Sequence, residues 1–164
     1  MRRLIYPIGL LIFIYLITVI LNFYGLKITY QVTPSMPKGF YIIYPIENIK
    51  VNDIIVFYPP KKASQFLLTR HLIPHNDWLM KYVVAAPGDY VCKKFSFVWI
   101  NNEKYAPVLT HSSKNELLPD TPFCSVLTKD KYLSISTIAQ HSFDGRYFGP
   151  IDKKDIIGKA CHLF

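Results

Sequence analysis

Leu79-Met80-Lys81-Tyr82-Val83-Val84-Ala85-Ala86-Pro87-Gly88-Asp89 is a short apolar run that carries one lysine and closes on a turn former. Tyr, Val and Ala from Tyr82 to Ala86 suit a buried strand, and Pro87-Gly88-Asp89 stops it. Runs of the same kind recur at Ile28 to Val32, Phe40 to Tyr44, Ile54 to Tyr58, Phe97 to Ile100, Tyr132 to Ser136 and Ile157 to Cys161. Pro59-Pro60, Asn101-Asn102 and Asp144-Gly145 separate them as turns. The spacing predicts a mainly β fold, an antiparallel β-sandwich or partly closed barrel. No long amphipathic helix stands among these runs. Residues 109 to 131, with Ser, Asn, Asp, Pro and Lys, read as one long excursion at the rim of the β fold.

Ahead of the β-type runs the pattern is different. Leu4 to Leu26 carries no charge, and as a helix it reaches about 35 Å, enough for a bilayer core of about 30 Å. A cleaved secretory signal also begins with basic residues and an apolar run. Here the run is longer than a signal core, and Asn22-Phe23-Tyr24-Gly25-Leu26 follows in place of a small-x-small cleavage site. The expectation is a retained transmembrane helix, with Arg2 and Arg3 cytoplasmic by the positive-inside rule. Residues 1–27 are then the cytoplasmic end and anchor, and residues 28–164 an extracytoplasmic domain.

Lys and Arg number 19 against 11 acidic residues, a formal net charge of +8. Such a balance suits nucleic acid, an anionic membrane surface or an acidic partner. The basic residues are scattered and lack any zinc-finger, helix-turn-helix or aromatic nucleic-acid motif, so membrane lipid is the expected neighbour and nucleic acid is not.

Thr33-Pro34-Ser35-Met36-Pro37-Lys38-Gly39 sets a lone serine between two prolines just after the apolar segment. Taken alone, serine beside proline is an ordinary turn. The two prolines also restrict the backbone on both sides, which suits a nucleophile that must meet an acyl carbonyl in one orientation. The Ser35 amide and the Thr33 hydroxyl are then candidate oxyanion donors. Ser35 needs a base, and Lys81 is the candidate, because burial disfavours the ammonium and frees a neutral amine to accept a proton. The same lysine on a half-exposed strand simply faces water, and the residues around it leave both readings open.

Ser142-Phe143-Asp144-Gly145-Arg146-Tyr147-Phe148-Gly149-Pro150 is a third cluster. Asp144 and Arg146 can pair across a turn as a brace, and the Ser142 hydroxyl is a candidate to orient the lysine amine.

Pro34-Ser35-Met36-Pro37, Asn52-Asp53-Ile54-Ile55-Val56-Phe57, Lys81 with Ala86-Pro87-Gly88-Asp89, and Ser142-x-Asp144-x-Arg146-Tyr147-x-Gly149 follow one another in the order of the sequence boxes of type I signal peptidases. The chain resembles that family over roughly residues 30 to 164. Pro37-Lys38-Gly39-Phe40-Tyr41 and the Ser142 to Pro150 block look closer still to its conjugative-transfer, TraF-like branch, which matures pilin subunits. The resemblance implies a membrane-bound serine endopeptidase with Ser35 as nucleophile and Lys81 as general base. It implies Thr33 and the Ser35 amide as oxyanion hole, and Ser142, Asp144 and Arg146 in support, without cofactor. Tyr82, Asn52 and Ala85 depart from the usual arginine, glycine and glycine, which bears on the substrate pocket rather than on the dyad. The implied substrates are exported preproteins or pilin precursors, the implied site is the outer face of a bacterial inner membrane, and other conjugative-transfer proteins are implied partners. Hydrolysis and cyclisation of the cut chain both fit. The alternatives are a general housekeeping signal peptidase and an inactive anchored β-domain that binds a secretion channel.

Cys92, Cys124 and Cys161 allow three single disulfides or none. Outside the membrane they face an oxidising space. A Cys92–Cys124 bridge, which restrains the excursion and matches the spacing of TraF-like proteins, is the preferred pairing, with Cys161 buried or free. His71-x-x-x-His75 lies in a proline-containing loop where helical ligand spacing fails, so no metal site is expected.

Overall fold

Alternation decides which strand faces enter the core. From Gly39 to Tyr44 the buried positions are Gly39, Tyr41 and Ile43, the period of two that a half-buried strand requires. The computed structural model describes residues 2–70 and 78–164, the side chains of residues 2–5 and 7 excepted. Its elements are α1 (Arg2–Phe23), β1 (Lys27–Gln31), β2 (Gly39–Tyr44), β3 (Ile54–Phe57), α2 (Lys61–Thr69), β4 (Leu79–Ala85), β5 (Tyr90–Lys94), β6 (Phe97–Ile100), β7 (Glu103–Pro107), β8 (Cys124–Val126), β9 (Lys131–Ile135), α3 (Gly145–Phe148), β10 (Ile151–Asp152) and β11 (Ile156–His162). The fold is mainly antiparallel β in two sheets. The larger runs β1-β2-β11-β3-β4-β9-β10 and the smaller β7-β6-β5-β8.

No barrel closes. β1 and β10 end the larger sheet as free edges, and β10 is only two residues long, too short a ladder to bring the edges together. One apolar cluster joins the sheets, with Val84, Ala85, Leu133 and Ile135 from the larger against Val91, Val98 and Ala106 from the smaller. A second, of Ile55, Phe57, Leu67, Leu79, Val83 and Tyr132, seats α2 on the larger sheet. A third gathers Met36, Tyr41, Ile43, Val56, Met80 and Ala160. Each fully buried side chain of this size contributes about 1.5–3 kcal/mol of apolar burial.

α2 and several strands depart from the sequence expectation. Ala63 and Leu67 are the buried positions of α2, a stripe too narrow to announce a helix in so short a segment. Residues 109 to 131 are not one excursion, since β8 lies inside them and pairs with β5. All three β8 residues are exposed, so the edge strand shows no alternation. β7 carries Glu, Lys and a terminal proline, which an edge strand tolerates.

α1 stops at a Schellman motif: Leu26 N donates to Leu21 O and Gly25 N to Asn22 O, with Gly25 at φ 65°. Its backbone is helical for 22 residues, and Leu10, Leu11, Phe13, Ile14, Leu16 and Ile20 are exposed. Counting the residues whose side chains are described, no helix is long and apolar enough to cross a membrane.

Candidate active site

The chain between β1 and β2 carries Ser35, and several contacts shape it. Gln31 Nε2 donates to Thr33 O at 3.1 Å and to Thr33 Oγ1 at 2.5 Å. Thr33 Oγ1 lies 3.2 Å from Ser35 Oγ. Met36 is fully buried and pins the far side of the bend. Tyr41 donates its hydroxyl to Pro37 O at 2.8 Å; burial, helped by Tyr82, pushes that phenol up to about 12, so it stays a donor. Gly39 sits at φ 141°, and a Cβ there would collide with the Phe164 carbonyl and with His162 Nε2, so only glycine fits.

β4 supplies the lysine. Lys81 pairs with Ile55 of β3 across the ladder and stands two residues from Leu79 and from Val83, all buried. It is 3% exposed. Its Nζ lies 3.0 Å from Ser35 Oγ and donates to Met80 O at 2.9 Å. Burial draws the Lys81 pKa down to about 8, with Asp144 raising it and Arg146 lowering it. A neutral amine has one lone pair and two N–H groups. With one N–H on the Met80 carbonyl, the lone pair is free to face the Ser35 hydroxyl.

Asp144 caps α3, accepting from Arg146 N at 3.2 Å. Its carboxylate also accepts from Arg146 Nε at 2.9 Å and Nη2 at 2.9 Å, a bidentate pair. The guanidinium then donates to the carbonyls of Gln140, Ala139 and Ser142 at 2.9, 3.0 and 3.1 Å. Asp144 is wholly buried and Arg146 is 2% exposed, and the pair ties the loop after β9 to the start of α3. Ser142 is where the structure differs from the sequence reading. Its hydroxyl is buried and, like that of Ser134, has no hydrogen-bond partner, so in this state it does not hold Lys81. The local reason is that Arg146 and Ala139 already take the Ser142 backbone groups, which orients the residue through its main chain.

Two contributors had no sign in the sequence. Gln31 reaches Thr33 from the end of β1. Ser136 donates its hydroxyl to Ser35 O at 2.6 Å, but among Ser134, Ile135, Ser136 and Thr137 nothing marks one hydroxyl from the next.

Cys92 and Cys124 form a disulfide across the β5–β8 pair, where they stand in register. Cys161 is free and exposed. Among the described residues no group of three or more His, Cys, Asp or Glu could hold a metal; His71 and His75 lie outside the described residues.

A hydroxyl against a desolvated amine sets a candidate nucleophile beside a group able to take its proton. The whole chain, residues 1–164, matches the family described as signal peptidase, peptidase S26. Signal peptidase I V of Bacillus subtilis strain 168 is 30% identical, over 76% of this chain and 86% of its own length. Signal peptidase IB of Staphylococcus aureus strain Mu50 is 32% identical, over 74% of this chain and 63% of its own. A crystal structure of a signal peptidase I from Enterococcus faecalis V583 aligns at TM-score 0.40 and 19% identity, covering 73% of this chain and 99% of that one. The chain belongs to the signal peptidase family S26, a family of serine endopeptidases.

Proposed function

We propose that this chain cuts signal or leader segments from exported proteins at a membrane surface, with Ser35 as nucleophile and Lys81 as its base. The observation that carries the reading is the 3.0 Å approach of Lys81 Nζ to Ser35 Oγ with the amine buried. Neutral Lys81 takes the Ser35 proton as Oγ attacks the scissile carbonyl. The Ser35 amide and the Thr33 hydroxyl hold the oxyanion. As the tetrahedral intermediate collapses, protonated Lys81 gives its proton to the leaving amine, and an ester to Ser35 remains. Neutral Lys81 then takes a proton from water, the hydroxide attacks the ester, and the proton returns to Ser35 Oγ. Ser142, a buried hydroxyl left without a hydrogen-bond partner in this state, is assigned to orient the amine once the reaction begins, and Asp144 with Arg146 to hold the loop that carries it.

Residues 1–27 serve as the anchor and residues 28–164 as the peptidase domain outside the cytoplasmic membrane. Support comes from the uncharged run Leu4 to Leu26 and from 22 helical residues, about 33 Å of helix against a bilayer core of about 30 Å. Even fully extended, the chain from Lys27 keeps Ser35 within about 28 Å of the headgroups, so substrates held in the same membrane are favoured.

The finer assignment is to conjugative transfer, with pilin precursors as substrate. It rests on Pro37-Lys38-Gly39-Phe40-Tyr41, on the Ser142 to Pro150 block and on the Cys92–Cys124 bridge. A housekeeping signal peptidase uses the same dyad and fits the same geometry. Deletion separates them: the first predicts loss of pilus assembly and DNA transfer alone, the second a broad export defect. Mass spectrometry of the product shows whether its new ends are free or joined into a ring. Purified Ser35→Ala and Lys81→Ala proteins test the dyad itself. Each should lose cleavage of a preprotein; wild-type rates in both would end the dyad proposal, and a wild-type protein that cleaves no preprotein would leave a binding domain in place of an enzyme.

A further inference from the structure

We infer that Ser136 is a positioning residue for the nucleophile, fixing the Ser35 main chain through its hydroxyl; the inference rests on the dyad proposed above. Ser136 follows β9 directly, one position past the Tyr82–Ile135 pair of the β4–β9 ladder and on the Lys81 side of it. It is 5% exposed, and three hydrogen bonds engage its hydroxyl and its amide. Ala139 N donates to Ser136 Oγ at 3.2 Å, so the oxygen acts there as acceptor. The single hydroxyl proton is left for Ser35 O, 2.6 Å away. Ser136 N donates to Asp144 Oδ2 at 3.0 Å.

These bonds form a continuous chain from the buried Arg146–Asp144 pair through Ser136 to the carbonyl of the nucleophile. The guanidinium already grips the carbonyls of Ala139, Gln140 and Ser142, so Ser136 hangs from a frame with little freedom. Ser35 itself belongs to no strand ladder. It lies between β1 and β2, outside either strand, and among the described residues its hydroxyl hydrogen-bonds to Thr33 and Lys81. Holding the Ser35 carbonyl sets the Ser35–Met36 peptide plane, from which the Cα–Cβ direction follows. Oγ is thereby aimed at Lys81 before substrate arrives. Preorganisation of this sort lowers the barrier without adding a contact to substrate.

Ser136 occupies none of the roles assigned to Ser35, Lys81, Thr33 or Ser142, because its proton is already spent on a main-chain carbonyl. The expected signature is therefore a fall in kcat with KM held. It should be absent from a variant that keeps a hydroxyl at that place.

The test uses the full chain in detergent, a preprotein substrate, and Ser136→Ala, Ser136→Thr and Ser136→Cys beside Ser35→Ala. Loss of one hydrogen bond to a reacting residue corresponds to roughly a 10-fold to 100-fold fall in kcat. Ser136→Ala should show that fall with KM changed less than about twofold, the half-maximal pH of the rate unmoved, and Ser136→Thr recovering most of kcat. Should Ser136→Ala fail to fold by circular dichroism, Ser136→Cys, a weaker donor of similar size, should fall between Ala and Thr expectations, well below Thr. The inference is overturned if Ser136→Ala or Ser136→Cys keeps wild-type kcat, or if Ser136→Thr is as impaired as Ser136→Ala. An inactive Ser35→Ala protein beside a fully active Ser136→Ala protein overturns this inference alone. An active Ser35→Ala protein overturns the dyad beneath it.

Discussion

Asp144 and Arg146, two residues apart, close on each other through two 2.9 Å side-chain bonds inside the protein. The pair is out of solvent, so its net contribution to stability is modest, but removing one partner strands a buried charge. Asp144→Ala or Arg146→Ala should each cost about 3–5 kcal/mol in urea unfolding. The double variant should cost less than the two singles added, since neither charge is left alone.

The rate should depend on pH through Lys81. The proposed base works neutral, and burial has brought its pKa down to about 8. Measured as kcat/KM from about pH 6 to about pH 10, activity should rise with pH and reach half its limit near 8.

Stability should carry the same group with a defined sign. The unfolded lysine keeps its ordinary pKa of 10.5, whereas the folded one titrates near 8. Below 8 both states are protonated and the native state bears the full desolvation cost. Between 8 and 10.5 the unfolded state binds more protons, so native stability rises with pH, and above 10.5 it is level. The total rise is roughly 3 kcal/mol. Lys81→Met should remove that slope in urea titrations, and near neutral pH it should be no less stable than wild type.

Reduction should destabilise without disabling. The Cys92–Cys124 bridge spans a sequence separation of 32, worth about 3–4 kcal/mol by loop-closure entropy. The hydrogen bonds of Ser35 and Lys81 go to Thr33, Met80, Ser136 and each other, not to the bridge. Cys92→Ser with Cys124→Ser should lower the melting temperature by several degrees, as about 3 kcal/mol implies for a domain of this size. At 25 °C kcat should stay within about twofold of wild type.

Legibility in the sequence followed locality. The strands β2, β3, β4, β6, β9 and β11 were readable because one face of each enters a core and forces apolar residues into it. β7 and β8 were not, since edge strands are held by main-chain pairing that any side chain permits. Ser35 and Lys81 were readable by residue type, one by its prolines and the other as a charge in an apolar run. Ser136 was not, because its partner stands 101 residues away and its neighbours are also hydroxyl or aliphatic residues.

What the amino-acid order determined by itself is the set of chemical groups: a proline-flanked serine, a lysine that must be desolvated if its strand is buried, and an acid and base spaced to pair. Tertiary structure alone decided whether they meet. The 46-residue gap between Ser35 and Lys81 is closed by β4 lying beside β3 in the larger sheet and by Met36 anchoring the Ser35 bend in the core. It also decided which hydroxyl acts on what. Ser136 reaches the Ser35 carbonyl, and Ser142 stands without a partner. Hydrogen bonds depend on tenths of an ångström, and that distance is a property of packing rather than of residue order.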